Sequence, residues 1–229
     1  MMKDAPSQAR RRTLIALAAA VAAPRGQAQP APAGRPACVI TAEQTEGPYF
    51  LDHRLNRSDL RSDPSDGSRR NGVPLALQLR VQAAEATVCT PLKGAIVHVW
   101  HADADGNYSG IDGSRSMYLR GYQRTDANGI ARFRTIYPGW YPGRTVHIHF
   151  KVIARGKNGK PYELTSQLYF DDAVTDSVMA QAPYARRSPR DRINRSDGIY
   201  RRSGRELMLA LREQGKGYAG SFDVGVQLG

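Results

Sequence analysis

From residue 75 onward, apolar and polar positions alternate along much of this chain. Leu75, Leu77, Leu79 and Val81 are separated by polar or small residues, so residues 75–84 read as a strand with successive side chains on opposite faces. Residues 94–101 are apolar at consecutive positions instead, which predicts a central strand buried on both faces. Residues 118–124 and 129–136 flank Asp126-Ala127-Asn128-Gly129, whose turn chemistry predicts a hairpin. Thr145-Val146-His147-Ile148-His149-Phe150 then alternates strictly, and Lys157-Asn158-Gly159-Lys160 turns the chain back into residues 162–170, which should pair antiparallel with it. Residues 206–212 fit a short helix or a strand equally, and Phe222, Val224, Val226 and Leu228 mark a last strand over 218–228.

Many short strands between turns, with almost no helical periodicity, predict an antiparallel β-sandwich whose functional residues lie on strand ends and loops. Residues 52–72 are polar with few apolar anchors and read as a long surface loop. Residues 171–204 read as irregular and arginine-rich.

The N-terminus needs separate treatment. Arg10-Arg11-Arg12 precedes an apolar run over 13–23 that is too short for a membrane span. Arg11-Arg12-Thr13-Leu14 fits a twin-arginine export signal, with Gln27-Ala28 as a small-residue cleavage site. The expected organisation is therefore a signal over 1–28, a Pro/Ala-rich linker over 29–36 and one domain over 37–229, with export to the periplasm or beyond. In an oxidising compartment Cys38 and Cys89, the two cysteines of the chain, are disulfide candidates. Such a bridge would be worth about 4 kcal/mol in chain entropy.

The 229 residues carry a net charge of +12; removing Lys3, Arg10, Arg11, Arg12, Arg25 and Asp4 with the signal leaves about +8. Arginines 186, 187, 190, 192, 195, 201 and 202 hold much of the excess, yet Tyr184 and Tyr200 are the aromatics interleaved with them. That is a poor stacking platform, and nucleic acid is not an expected partner.

The alternation over 145–150 puts His147 and His149 on one face and turns Val146, Ile148 and Phe150 the other way, into apolar packing. A His-x-His pair can chelate a metal, and it can equally be how a strand faces water. A cupin-type acidic partner is missing from residues 151–156, and the spacing His-Glu-x-x-His does not occur. The acidic run from Asp103 lacks Gly at its sixth position and Glu at its twelfth, so it reads as a turn delivering Tyr108 rather than as a calcium loop. Tyrosines shift the balance. A phenol ionises near pKa 10, and using one as a ligand at neutral pH means lowering that by about 3, roughly 4 kcal/mol. Ferric iron suits phenolate plus imidazole better than zinc does.

These residues resemble the intradiol ring-cleavage dioxygenases, which cut catechol rings with non-haem ferric iron. The matching pieces are residues 45–50, 94–108, the turn at 126–129, Pro138-Gly139-Trp140-Tyr141, His147-Ile148-His149-Phe150 and Gln167-Leu168-Tyr169-Phe170. The resemblance implies Tyr108, Tyr141, His147 and His149 as iron(III) ligands, with Tyr141 displaced by substrate and Tyr137 its competitor for that role. It places Arg144 as the active-site arginine and Gln167 beside the ring, with Tyr49 and Trp140 as pocket candidates. His98 and His101 would be supporting residues. The reaction implied takes a catechol and O2 to a muconate-type diacid. Only Pro142 and Gly143 separate Tyr141 from Arg144, and Trp140 stands where a proline is common. Both departures suggest a more open pocket, and a helical N-terminal dimerisation region is not expected in this sequence. The rival reading is a non-enzymatic β-sandwich module that binds catecholates or polyanions.

Overall fold

The computed structural model describes Met1 and residues 39–52, 54–85 and 88–229. The expected signal beyond Met1, the linker and Cys38 lie outside the described residues. Two sheets face each other across one core. The first is built on β1 (Pro74–Glu85), whose Leu75, Leu77, Leu79 and Val81 are all buried. This strand is long enough for one of its edges to take two antiparallel partners in succession: β2 (Val88–Pro91) against residues 82–85 and β5 (Ile130–Ile136) against residues 74–80. Its other edge pairs with β9 (Gly217–Val226), which pairs in turn with β8 (Ala210–Gln214). The second sheet has the order β4 (Arg120–Arg124), β3 (Ile96–Trp100), β6 (His147–Arg155), β7 (Pro161–Tyr169), antiparallel throughout.

The core fills the space between the sheets with Leu75, Leu77, Leu79, Phe133 and Val224 from one side and Val97, Val99, Ile148, Phe150 and Leu168 from the other. Period-two alternation therefore sends Trp100, His147, His149, Gln167 and Tyr169 to the outer face of the second sheet. That face is not left to water. A segment anchored on the edge of β7, where Gln44 N–H donates to the Thr165 carbonyl at 2.9 Å, crosses it: Gln167 Nε2 donates to the Thr45 carbonyl at 2.9 Å, Glu46 pairs with Lys151, and the Phe50 ring packs on His98 and Trp100.

Three expectations need correction. Asp126-Ala127-Asn128-Gly129 is a tight turn, with Gly129 N–H donating to Asp126 O at 3.0 Å, but β4 and β5 on either side belong to different sheets. It is a corner between sheets, not a hairpin, because β4 pairs along its whole length with β3 and β5 with β1. The first sheet is also mixed, since β1 and β9 run parallel. Residues 54–72 form the expected surface loop, outside any named strand or helix and exposed over 64–69, but it is anchored. Leu60 is fully buried and bonds through its backbone to Arg134 and Leu119, while the Arg57 guanidinium donates to the carbonyls of Ser62, Met117 and Arg120. Finally, residues 171–204 contain α1 (Asp172–Met179), capped by Asp171 Oδ1 on the N–H groups of Ala173 and Val174, and a short α2 (Tyr200–Ser203). The ambiguous stretch 206–212 divides, ending a helical turn at Leu207 and starting β8 at Ala210.

Candidate metal centre

His147 and His149 open β6 and are both buried. His147 Nδ1 lies 2.7 Å from the Thr145 carbonyl, which can only accept, so Nδ1 carries the proton and Nε2 presents a bare lone pair. That lone pair meets His149 Nε2 at 3.0 Å and the Tyr141 hydroxyl at 3.1 Å. Trp100, the cross-strand neighbour of His149, stacks on its ring at 5.0 Å and 9° and fixes its plane.

The tyrosines arrive from two loops that touch each other. After β3 the chain turns on Asp103, whose Oδ1 accepts from the N–H groups of Asp105 and Asn107, and this turn delivers Tyr108. The second loop, over 137–144, delivers Tyr141. They approach so closely that a Cβ on Gly139 would come within 2.4 Å of the Ala104 carbonyl oxygen, and one on Gly106 within 2.2 Å of the Trp140 carbonyl oxygen. Glycine at these two positions is what allows both phenols to reach one place. Tyr108 and Tyr141 then lie edge to face at 5.7 Å, and Tyr49 stacks on Tyr108 at 4.3 Å. Arg120, itself buried, ties this group together by donating to the Tyr49 carbonyl at 2.9 Å and to Ser109 Oγ at 2.9 Å.

The electrostatics of the site are those of a dry pocket. Burial raises the Tyr108 pKa well above its usual value, with Tyr141 adding to the effect, and burial also raises that of Tyr141. Burial, then the Arg144 charge, pushes His147 down to about 3, and burial with His147 nearby pushes His149 well below the ordinary range. All four groups are therefore neutral in the bare protein. The Tyr108 hydroxyl is buried without a hydrogen bond, and so is His149 Nδ1. Two imidazole nitrogens at 3.0 Å, a second phenol on one of them and an unpartnered phenol beside it form a donor set that a cation would satisfy. No group of three or more His, Cys, Asp or Glu occurs among the described residues, so a metal here needs the phenols. Phenols and imidazoles fit ferric iron, whose charge offsets the cost of making phenolate in a dry site.

Arg144 stands at the edge of this group, with Nη1 3.4 Å from His147 Nε2. Its Nη2 donates to Gln167 Oε1 at 2.6 Å and its Nε to Asp197 Oδ2 at 2.8 Å. Asp197 is 1% exposed and also accepts from the N–H groups of Thr145, Ile199 and Tyr200, a set of bonds that holds its pKa below the carboxylate norm against burial. Gln167 is held from the far side, with Nε2 on the Thr45 carbonyl at 2.9 Å and the Tyr169 hydroxyl on its Oε1 at 3.1 Å.

The structure thus brings together Tyr49, Tyr108, Tyr141, Arg144, His147, His149 and Gln167. It does not bring in Tyr137, which is fully buried in the core with its hydroxyl 2.7 Å from Thr175 Oγ1. Trp140 packs in the main core under the Arg187 guanidinium and makes none of the ring contacts that join the three tyrosines. His101 is satisfied by the Ala102 carbonyl and the Thr135 hydroxyl, and His98 lies between the rings of Phe50 and Tyr122. Cys89 lies in β2, and its expected partner Cys38 is outside the described residues. Asp197 and Arg120 were not visible as site residues in the sequence. The turn chemistry of Asp197-Gly198 marks a loop, but nothing local says that its carboxylate is buried on Arg144, 53 residues away.

Similarity to known proteins agrees with this geometry. A dioxygenase family model (Dioxygenase_C) matches residues 45–194. The chlorocatechol 1,2-dioxygenase of Cupriavidus pinatubonensis is 32% identical over 154 residues, 57% of this chain and 56% of that protein. Catechol 1,2-dioxygenase 2 of Acinetobacter lwoffii is 37% identical over 150 residues, 57% of this chain and 51% of that protein. Among solved structures, an intradiol ring-cleavage dioxygenase from Tetranychus urticae is similar with a TM-score of 0.71 at 32% identity, covering 83% of this chain and 95% of that one. The dioxygenase domain of a dioxygenase carbohydrate-binding protein fusion from a cellulolytic Streptomyces gives a TM-score of 0.61 at 32% identity, covering 83% and 100%. The chain belongs to the intradiol ring-cleavage dioxygenase family, whose members use non-haem iron. It spans little more than half the length of the curated relatives it matches.

Proposed function

We propose that this protein is a non-haem iron(III) intradiol dioxygenase that opens a catechol-type ring between its two hydroxylated carbons. Both atoms of O2 enter the product, a muconate-type diacid, so no external reductant is needed. One observation carries the reading: the unpartnered Tyr108 hydroxyl, the Tyr141 hydroxyl and two imidazole Nε2 atoms 3.0 Å apart share one dry pocket. Ferric iron held by Tyr108, Tyr141, His147 and His149 would supply Lewis acidity toward a chelating catechol and ready its ring for O2.

The remaining chemistry belongs to the chain. Tyr141 is less buried than Tyr108, and as the phenolate it would become on the metal its Oη, beside His147 Nε2, would be the atom placed to take up a proton from an arriving catechol. Tyr108 stays put under the stacked ring of Tyr49, which also keeps water from the phenol. Arg144 stabilises negative charge on the substrate as the ring opens, and Asp197 with Gln167 holds its guanidinium in one plane for that purpose. The names of the relatives make catechol and chlorocatechols the first substrates to try.

The same reading includes export through the twin-arginine signal at Arg11-Arg12, which suits a protein that takes up its metal while folding. Replacing both arginines with lysine should leave the protein in the cytoplasm.

The test of the catalytic reading is the visible spectrum and iron content of the purified protein, before and after catechol is added without oxygen. A tyrosinate charge-transfer band that shifts with catechol, followed by a ring-opened diacid once oxygen is admitted, is the expected result. Colourless iron-loaded protein would remove the tyrosines from the site, and a shifted band without product would reduce the protein to a catecholate binder.

A further inference from the structure

One sizeable cavity lies nowhere near the histidines. It is a trough of about 650 Å³ on the outer face of the first sheet, on the opposite side of the sandwich. Its floor follows from register. Arg134 pairs with Ala76, Ala76 with Ala219 and Ala219 with Arg212, so one row across four strands reads arginine, alanine, alanine, arginine. The next row reads Arg132, Gln78, Ser221, Ala210. Small residues on the two central strands leave the depression, and arginines stand on its rims. Three strand spacings put the Arg134 and Arg212 backbones roughly 14 Å apart.

The charge in this trough is not balanced locally. No Asp or Glu lines it. Arg132 is paired, with Asp126 at 2.8 Å. Among the described residues Arg134 has only Asp59 at 3.7 Å, and that carboxylate is already held by two bonds from Arg61, at 2.8 and 2.6 Å. Arg69 reaches for the same Asp59 at 3.9 Å. Arg212 is exposed and has no ion-pair partner among the described residues. Around these cations stand neutral hydrogen-bonding groups, Gln78, Gln214 and Ser221.

We propose that this trough binds a linear acidic polysaccharide, with its carboxylate or sulfate groups on Arg134 and Arg212 and its hydroxyls on the glutamines and serine. Four alternatives fit less well. Phe133, the one aromatic residue lining the trough, is buried in the core, so neither bases nor the faces of neutral sugars have a ring to stack on. A second copy would set arginine against arginine. The chain's own N-terminal segment, with Lys3, Arg10, Arg11, Arg12 and Arg25 against Asp4, carries the same sign as the trough. What remains complementary is an extended anion rich in hydroxyls. The site is independent of the iron reading, since no residue is shared with the histidine face.

Affinity electrophoresis of the full chain in gels containing polygalacturonate, dextran sulfate or neutral dextran tests this. Retardation by an acidic polymer and not by dextran is expected, weakening roughly tenfold or more between 50 and 200 mM salt as bound counterions are exchanged. The relative strength of the two acidic arms shows whether carboxylate or sulfate is preferred. The double variant Arg134→Gln, Arg212→Gln should lose at least tenfold in affinity, while Arg201→Gln with Arg205→Gln in the other basic region should not. Equal losses in both double variants, equal retardation by dextran, no retardation by either acid at low salt, or undiminished binding in the trough variant would each overturn the proposal. So would a dimer in sedimentation that the trough variant dissolves, or DNA bound as tightly through the same arginines. Unfolding curves matching the parent's would show that the trough substitutions act on binding and not on the fold.

Discussion

Tyr108 is the residue on which the chemistry turns. Its hydroxyl is buried, unpartnered and held from ionising by desolvation, a state that costs stability unless something accepts the phenolate. Tyr108→Phe is therefore expected to leave the fold at least as stable while removing most of the visible absorption or the iron itself. Unchanged colour and turnover would take Tyr108 out of the ligand set. Asp197 acts at one remove, because it touches Arg144 and not the metal ligands. Asp197→Asn keeps the shape and removes the charge, and kcat/KM should fall about tenfold or more, about 1.4 kcal/mol in the barrier. Iron content and the spectrum of the resting protein should stay as they were. A loss of iron in step with activity would mean that Asp197 supports the fold of the pocket and not the placement of Arg144.

At the scale of elements, the site depends on two loops crossing with no side chain between them. Gly139 is the contact point, facing the carbonyl oxygens of Asp103 at 2.5 Å and Ala104 at 2.4 Å from where a Cβ would sit. Gly139→Ala should push the Tyr108 loop away from the Tyr141 loop. The expected cost is about 1–3 kcal/mol in unfolding free energy, the usual range for overpacking, with a weaker or shifted tyrosinate band. Full metal loading at parental stability would show that the loops have more freedom than their spacing suggests. The strands themselves are less delicate. β6 is fixed on both edges, by β3 and β7, so the histidine pair keeps its direction even if the loops move.

The whole molecule answers to pH through its buried bases. His101 is enclosed and neutral, satisfied on both nitrogens, and burial lowers its pKa from 6.5 to about 4. The unfolded chain takes up a proton on this side chain below about pH 6.5, whereas the folded protein refuses it until about pH 4. Stability tied to His101 is thus complete above pH 6.5 and lost as pH falls toward 4, reaching roughly 3 kcal/mol at pH 4. Denaturant unfolding of the metal-free protein at several pH values between 7 and 4, compared with His101→Gln, isolates this contribution. The variant should show the shallower decline, and parallel curves would rule His101 out as a source of acid sensitivity. No helix among the described residues is long and apolar enough to cross a membrane.

Local order along the chain was enough to define most strands, the turn before β7 and the shared face of His147 and His149, because alternation is a property of neighbouring residues. The resemblance over most of residues 41–171 named the tyrosines and Arg144 for the same reason: motifs are local. Other features were settled only when distant segments met. The turn at Asp126 looks like a hairpin in one dimension, and the competition of β1 and β3 for its flanking strands made it a corner between sheets. Tyr137 and Tyr141 lie four residues apart in similar surroundings, yet packing against Phe170 and Thr175 sent one to the core and left the other at the histidines. Which side of the second sheet became the pocket depended on the 45–50 segment covering it, and the anchoring of Arg144 depended on a loop 53 residues further along the chain. These choices follow from burial and from the need of each buried polar group for a partner. Both are decided by contacts between residues far apart in sequence, which no local pattern records.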